Sequence, residues 1–291
     1  MRIKISSVCD VGLERTNNED AVAVCPDLEK PDWDCAGIQE FIPLSSAGAL
    51  VIVADGMGGA NAGEVASALA IKSLEEHFSA KDLPAVVKSD AAIHEFLREG
   101  IAKANSNILN HVLSSPDSMG LGTTVVLLWL KGEKAYVAWC GDSRCYCFNL
   151  DEGLRLLTKD HSLVQELVDK GEISKKQAFR HPDSNIITRC LGDVDVVTEP
   201  EIVTYKVCGG DIFLLCSDGL CGYCNDSLVE RIMYRHYGDW EACREALLRV
   251  ALKAGGQDNI SISLCATLPQ GSCSPHIGLK GRMKRFMARW G

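Results

Sequence analysis

Four aspartates share one local setting. Asp55 follows the apolar run Val51-Ile52-Val53-Ala54 and precedes Gly56-Met57-Gly58-Gly59. Asp142 follows Tyr-Val-Ala-Trp-Cys-Gly141, and Asp218 follows Ile-Phe-Leu-Leu-Cys-Ser217 and precedes Gly219. Asp258 comes after Gly255-Gly256-Gln257, just ahead of Ile-Ser-Ile-Ser-Leu. Glu19 and Asp20 stand before the run Ala-Val-Ala-Val. Carboxylates at strand ends, beside glycines that let backbone come close, are the donors that a hard cation takes. Magnesium and manganese prefer carboxylate, carbonyl and water oxygens in octahedral shells. Gathered without a cation, such carboxylates repel and shift one another's pKa. Each aspartate alone is also an ordinary way to end a strand or begin a turn. The pattern by itself leaves both readings open.

The elements that must position these residues follow from periodicity. Strands are predicted over residues 2–9, 21–25, 49–54, 123–130, 135–140, 145–150, 201–207, 212–216 and 260–266. Helices are predicted from a cap at Asn61, with Glu64 as its capping-box partner, to Phe78, and over residues 90–113, 226–237 and 239–254. Shorter helices are expected at 161–171 and 174–179, and residues 26–48 read as a loop or insertion. The runs at 123–130, 135–140 and 145–150 look like an antiparallel meander. Strands do not alternate strictly with helices, so a doubly wound parallel sheet is disfavoured and an antiparallel α+β sandwich is expected.

Composition narrows the partners. The 291 residues carry a net charge of −9, with 46% apolar and 24% charged residues. The last 23 residues, from Pro269, hold five Lys or Arg and no acid, which leaves 25 basic against 39 acidic residues in the rest. An acidic body argues against nucleic acid as the main partner and suits a site that concentrates cations. No stretch is long and apolar enough to span a bilayer, and the N-terminus lacks a secretory pattern, so a cytoplasmic location is expected. Most of the fourteen cysteines lie in apolar runs and read as buried thiols. Cys221 and Cys224 form a lone CxxC without a second pair at zinc-ribbon spacing.

Longer motifs add a resemblance. Gly12-Leu-Glu-Arg15-Thr-Asn-Asn-Glu19-Asp20, Ala54-Asp55-Gly56-Met57-Gly58-Gly59 and Gly63-Glu64-Val65-Ala66 resemble the opening motifs of the PPM family, the type 2C protein phosphatases. Gly122-Thr123-Thr124, Gly141-Asp142-Ser143-Arg144, Lys159-Asp160-His161-Ser162, Thr188-Arg189-Cys190-Leu191-Gly192, Ser217-Asp218-Gly219-Leu220 and Gly256-Gln257-Asp258-Asn259 follow in the family's order. The likeness covers residues 3–267 and looks like the bacterial branch. It implies two packed antiparallel sheets flanked by helix pairs, a catalytic domain over residues 1–268, and a basic tail over 269–291.

The resemblance also implies roles. Asp55 would bridge two divalent cations, Mn2+ or Mg2+, with the Gly56 carbonyl on one and Asp218 and Asp258 completing the other. Glu19 would act through bound water, Asp20 would support the shell, and Asn259 would orient the Asp258 loop. Asp142, with Asp218, would hold a weaker third metal. Arg15 would grip the substrate phosphate with its planar fork of donors. The implied reaction is hydrolysis of phosphoserine and phosphothreonine on proteins by a hydroxide that the two metals activate. A cognate kinase or its targets would be among the substrates. Met57 stands where animal members carry a histidine. His161 and His181 are weaker candidates for the leaving-group proton, and a structural or surface role suits them better. Residues 165–185 match the family's variable flap and hold Lys170, Lys175, Lys176, Arg180 and His181.

In the tail, Leu279, Met283, Phe286, Met287 and Trp290 fall on one helical stripe among basic residues. Such a segment suits an anionic membrane or an acidic partner; a disordered tail, or one resting on its own acidic body, is the more ordinary expectation. Two other functions fit the pattern less well. A non-catalytic phosphoprotein-binding module would not need Asp55, Asp218 and Asp258 together. A small-phosphate or nucleotide phosphatase finds no P-loop or dinucleotide fingerprint here.

Overall fold

The computed structural model describes residues 1–58, 63–79, 83, 89–115, 120–196 and 198–271. The cap expected at Asn61 and the amphipathic stripe of the tail lie outside these residues.

Apolar runs that do not alternate with polar residues call for sheets covered on both faces, and that is the arrangement found. One sheet has the strand order β3-β1-β12-β11-β8-β9, formed by β1 (Arg2–Asp10), β3 (Gly37–Pro43), β8 (Arg144–Asn149), β9 (Gly153–Leu156), β11 (Ile212–Cys216) and β12 (Ile260–Leu268). The other has the order β10-β7-β6-β4-β2, formed by β2 (Asp20–Cys25), β4 (Ala49–Met57), β6 (Val125–Lys131), β7 (Lys134–Cys140) and β10 (Glu201–Lys206). The short β5 (Gly122–Thr123) pairs with the end of β4. Among the described residues, the strands of both sheets pair antiparallel throughout.

Three cores follow from the period of two. Val51, Val53, Phe213, Leu215 and Cys265 fill the space between the sheets. Leu50, Ile52 and Trp129 pack outward against α1 (Gly63–Phe78) and α2 (Asp90–Ser114). Leu214, Ile262 and Leu264 pack outward against α6 (Asp226–Arg235) and α7 (Trp240–Lys253). Between β9 and β10 lie the short helices α3 (Leu163–Asp169) and α4 (Lys175–Ala178), and α5 (Asp218–Cys221) is a single turn after β11. Side-chain caps start the longer helices: Ser89 accepts from Ala92 N, Asn225 from Leu228 N and Asp239 from Ala242 N.

Three expectations need correction. The segment 26–48 is not all loop, because Gly37–Pro43 is an edge strand on β1. It is half-exposed on both faces, so it carries no alternation to read. Its pairing also shifts register between Ile3 and Ile5. The meander breaks after its first hairpin: β6 and β7 pair, but β8 joins the opposite sheet beside β11. Gly141-Asp142-Ser143 is thus the crossover between sheets, which carries Asp142 to the sandwich edge. Finally, the expected helices at 161–171 and 174–179 shorten to Leu163–Asp169 and Lys175–Ala178, because Ser162 and Ser174 serve as caps.

Candidate active site at the acidic edge of the sandwich

The expected site residues converge on one edge, where β2, β4, β11 and β12 end. Asp20 and Asp55 are direct cross-strand partners in the β2–β4 register. Gly56 N donates to the Glu19 carbonyl at 3.1 Å, which ties the two motifs together. Asp55 itself is fixed through its backbone. Its N–H donates to Thr124 Oγ1 at 3.1 Å, and its carbonyl accepts from Thr124 N at 2.8 Å and Thr123 Oγ1 at 2.9 Å. Thr124 Oγ1 lies 2.7 Å from Ser143 Oγ, so the β4 end is also tied to the Asp142 crossover.

Asn259 is fully engaged. Its side-chain oxygen accepts from Glu19 N at 2.7 Å, and its amide nitrogen donates to the carbonyls of Val11 and Asn17 at 3.0 and 2.9 Å. Its own N–H donates to Asp258 Oδ1 at 2.9 Å. It therefore orients both the Asp258 loop and the Arg15–Glu19 segment. Two glycines permit the close approaches. Gly12 has φ of +80°, and a Cβ there would run into the carbonyls of Asp258 and Gly256. A Cβ on Gly63 would stand 2.8 Å from the Glu19 carboxyl carbon.

Asp20 and Asp142 are buried, whereas Glu19, Asp55, Asp218 and Asp258 are partly exposed. Desolvation raises Asp55 well above the usual carboxylate range, and Asp20, Asp218, Asp142 and Asp258 add like-charge repulsion. Burial likewise pushes Asp20 up to about 7, against the hydrogen bond that Ser217 Oγ donates at 2.7 Å. Asp218 is pushed up to about 6, first by burial and then by Asp258. Desolvation, then Asp218 and Asp160, raise Asp142 well above its ordinary value. One oxygen of Asp142, Oδ1, is buried without a hydrogen-bond partner, a costly state for a carboxylate.

This donor set fits a divalent cation. It is all oxygen, it repels itself, and it includes a buried carboxylate oxygen without a hydrogen-bond partner. Among the described residues, no group of three or more His, Cys, Asp or Glu side chains is already gathered as a finished ion shell. Backbone oxygen and water would have to contribute, as hard-cation shells ordinarily require.

Arg15 sits at the cluster's mouth. Its Nη2 is 3.0 Å from both oxygens of Asp258, and its Nη1 is 4.0 Å from Glu19 Oε2. His161 is remote from this role. Its Nδ1 accepts from Gly141 N at 3.0 Å and its Nε2 faces Glu201 Oε1 at 3.2 Å, so it braces the crossover. Burial, with Arg189 alongside, holds it below the usual histidine range. His181 Nδ1 accepts from Asp183 N within the flap. All thirteen described cysteines are free thiols; Cys221 and Cys224 are buried around α5. Sequence reasoning assigned no role to Ser217, Thr123 or Thr124, although it quoted each in a motif. What they do is hold backbone and carboxylate in place, and only the fold shows that.

The pattern of the protein phosphatase 2C family matches residues 41–261. The chain belongs to the protein phosphatase 2C family. Membership makes it a serine/threonine protein phosphatase of the bacterial PPM type. It is 38% identical over 216 residues to the serine/threonine phosphatase stp of Listeria monocytogenes, covering 74% of this chain and 83% of that protein. The crystal structure of the Mycobacterium tuberculosis serine/threonine phosphatase PstP/Ppp superposes with a TM-score of 0.76 at 30% identity, covering 92% of this phosphatase and all of that chain. The catalytic domain of PstP in complex with two manganese ions superposes with a TM-score of 0.73 at 29% identity, covering 92% of this chain and 99% of that one. No described helix of this phosphatase is long and apolar enough to cross a membrane.

Proposed function

We propose that this phosphatase hydrolyses phosphoserine and phosphothreonine on proteins with two divalent cations, manganese or magnesium, held by Asp55, the Gly56 carbonyl, Asp218 and Asp258. When bound, the cations supply Lewis-acid activation of the attacking water and offset charge on the phosphoryl group. The observation that carries the reading is the self-repelling carboxylate cluster, with Asp55 raised by burial and four neighbouring aspartates.

The chain's own residues divide the remaining work. Asp20 braces the shell from behind, through Ser217. Glu19 borders the shell beside Gly63 and acts through water. Asn259 fixes the loop that carries Asp258. Arg15 offers donors to phosphate oxygens, exchanging part of its contact with Asp258 for the substrate. Asp142, with its unpaired Oδ1, serves with Asp218 as a weaker third site. Among the described residues, no histidine is hydrogen-bonded to these carboxylates: His161 is committed to Gly141 and Glu201, and position 57 is methionine. Residues 1–268 form the catalytic domain, working in the cytoplasm opposite a cognate kinase, and the basic tail is an accessory segment.

The test is phosphate release from a phosphothreonine peptide, first in EDTA and then with manganese restored. Release that stops and returns supports the reading. Release indifferent to EDTA overturns the metal mechanism, and no release with any divalent metal favours a phosphoprotein-binding module.

A further inference from the structure

The acidic cluster is one end of a larger cleft of about 1150 Å³. The cleft runs between the flap helix α4 and the turn that joins α5 to α6. Away from the cluster, its charges are unevenly matched. Arg144 pairs with two carboxylates of the cleft, Asp160 and Asp226. It forks onto Asp160 through Nε at 2.9 Å and Nη2 at 2.6 Å, and its Nη1 lies 3.8 Å from Asp226. Tyr146 donates a further hydrogen bond to Asp226 at 3.0 Å.

The flap wall is different. Lys175, Lys176 and Arg180 line the cleft, are exposed, and make no side-chain hydrogen bond or ion pair to any described residue. Asp169 feels the charge of Lys175, but it is already held by Lys159 at 2.6 Å and by Gln165 at 2.9 Å. Phe179, 36% exposed, stands between these cations on the same wall. An acidic protein thus keeps three unmatched cations and an aromatic ring beside its reaction centre.

We infer that this wall selects phosphopeptides with acidic residues next to the phosphorylated serine or threonine, through Lys175, Lys176 and Arg180, with Phe179 packing against an apolar neighbour. The inference rests on the phosphatase reading for the position of the phosphate, but its own content is the flanking charge. Oppositely charged residues across a solvated cleft contribute modestly each, so three together imply a preference of about tenfold. That preference weakens as salt rises, since the flap is solvent-exposed.

The experiment compares two phosphothreonine peptides, one flanked by Asp and Glu and one by Ser and Gln, on the full chain and on the variant Lys175→Gln/Lys176→Gln/Arg180→Gln. Peptide binding is read by fluorescence anisotropy in EDTA, and kcat/KM with manganese. The inference predicts about tenfold tighter binding and higher kcat/KM for the acidic peptide on the natural chain, falling to near parity in the variant. Equal binding of the two peptides by the natural chain, or a preference that survives in the variant, overturns it. So does tighter binding of a single-stranded RNA of equal charge. An acidic preference in anisotropy without phosphate release under any metal supports the inference while sinking the phosphatase mechanism, so the two fail separately. Near-ultraviolet circular dichroism of the variant checks that the flap change leaves the fold intact.

Discussion

Val53 and Asp55 are two residues apart on β4 and point to the same side of the strand, yet they sit in opposite regimes. Val53 is fully buried between the sheets among Val51, Phe213 and Leu215. Asp55 lies past the rim of that core, crowded by four other aspartates. The core half of the strand gains from every group buried, whereas the edge half places like charges where water is partly excluded. The difference teaches how the site is preorganised. Carboxylates that repel one another stay together because each is fastened to a strand that the core holds rigid, through Thr124, Ser217 and Asn259.

The sharpest way to separate the two regions is to remove charge from the edge. Asp55→Asn and Asp218→Asn should each lower kcat by about a thousandfold or more, since a catalytic ion contributes several kcal/mol. The thermal midpoint in EDTA should hold or rise, because repulsion is relieved. Normal turnover after metal stripping and refilling would break the comparison. The core responds in the opposite sense. Trp129→Ala removes a fully buried ring packed among Phe78, Phe96 and Tyr136, and should cost about 3–5 kcal/mol in denaturant unfolding. A loss below about 1 kcal/mol would show the helix-facing core to be looser than described.

Proton linkage offers a gentler probe. Burial pushes Asp20 up to about 7 and Asp218 up to about 6 in the folded chain, against about 3.9 when unfolded. The folded chain therefore binds more protons through this window. Its contribution to stability is complete below pH 4 and is lost as pH climbs through 7. In EDTA, the thermal midpoint should fall from pH 5 to pH 8. A flat or rising profile would contradict the raised values. The smallest expected effect is at the mouth. Arg15→Ala should raise KM by about tenfold with a lesser change in kcat, as loss of ground-state phosphate binding does; an unchanged KM would remove Arg15 from phosphate recognition.

Much of this was legible in the chain. The motif order named the family, and the glycine-flanked aspartates marked the candidate site because strand ends and hard-cation chemistry both favour that pattern. The sheets were legible wherever apolar runs were dense, as at Val51–Ala54 or Ile212–Cys216. The edge strand Gly37–Pro43 was not, because an edge that meets solvent on both faces has no period to read. Nor was the crossover at Gly141-Asp142-Ser143, since a short polar link looks the same whether the next strand pairs with its neighbour or joins the other sheet. The supports supplied by Ser217, Thr123 and Thr124 are long-range contacts, and local sequence carries no trace of them. The unmatched cations of the flap were visible as a basic stretch, but their lack of partners and their place on the cleft wall emerge only in three dimensions.

The central claim is that the edge carboxylates exist to hold cations. Isothermal titration of manganese into the stripped phosphatase at pH 8 tests it without reference to turnover. The account predicts two tightly bound ions per chain ahead of any weaker third, a raised thermal midpoint on saturation, and loss of at least one tight ion in Asp55→Asn. No saturable binding, or equal stoichiometry in the natural chain and Asp55→Asn, would contradict it.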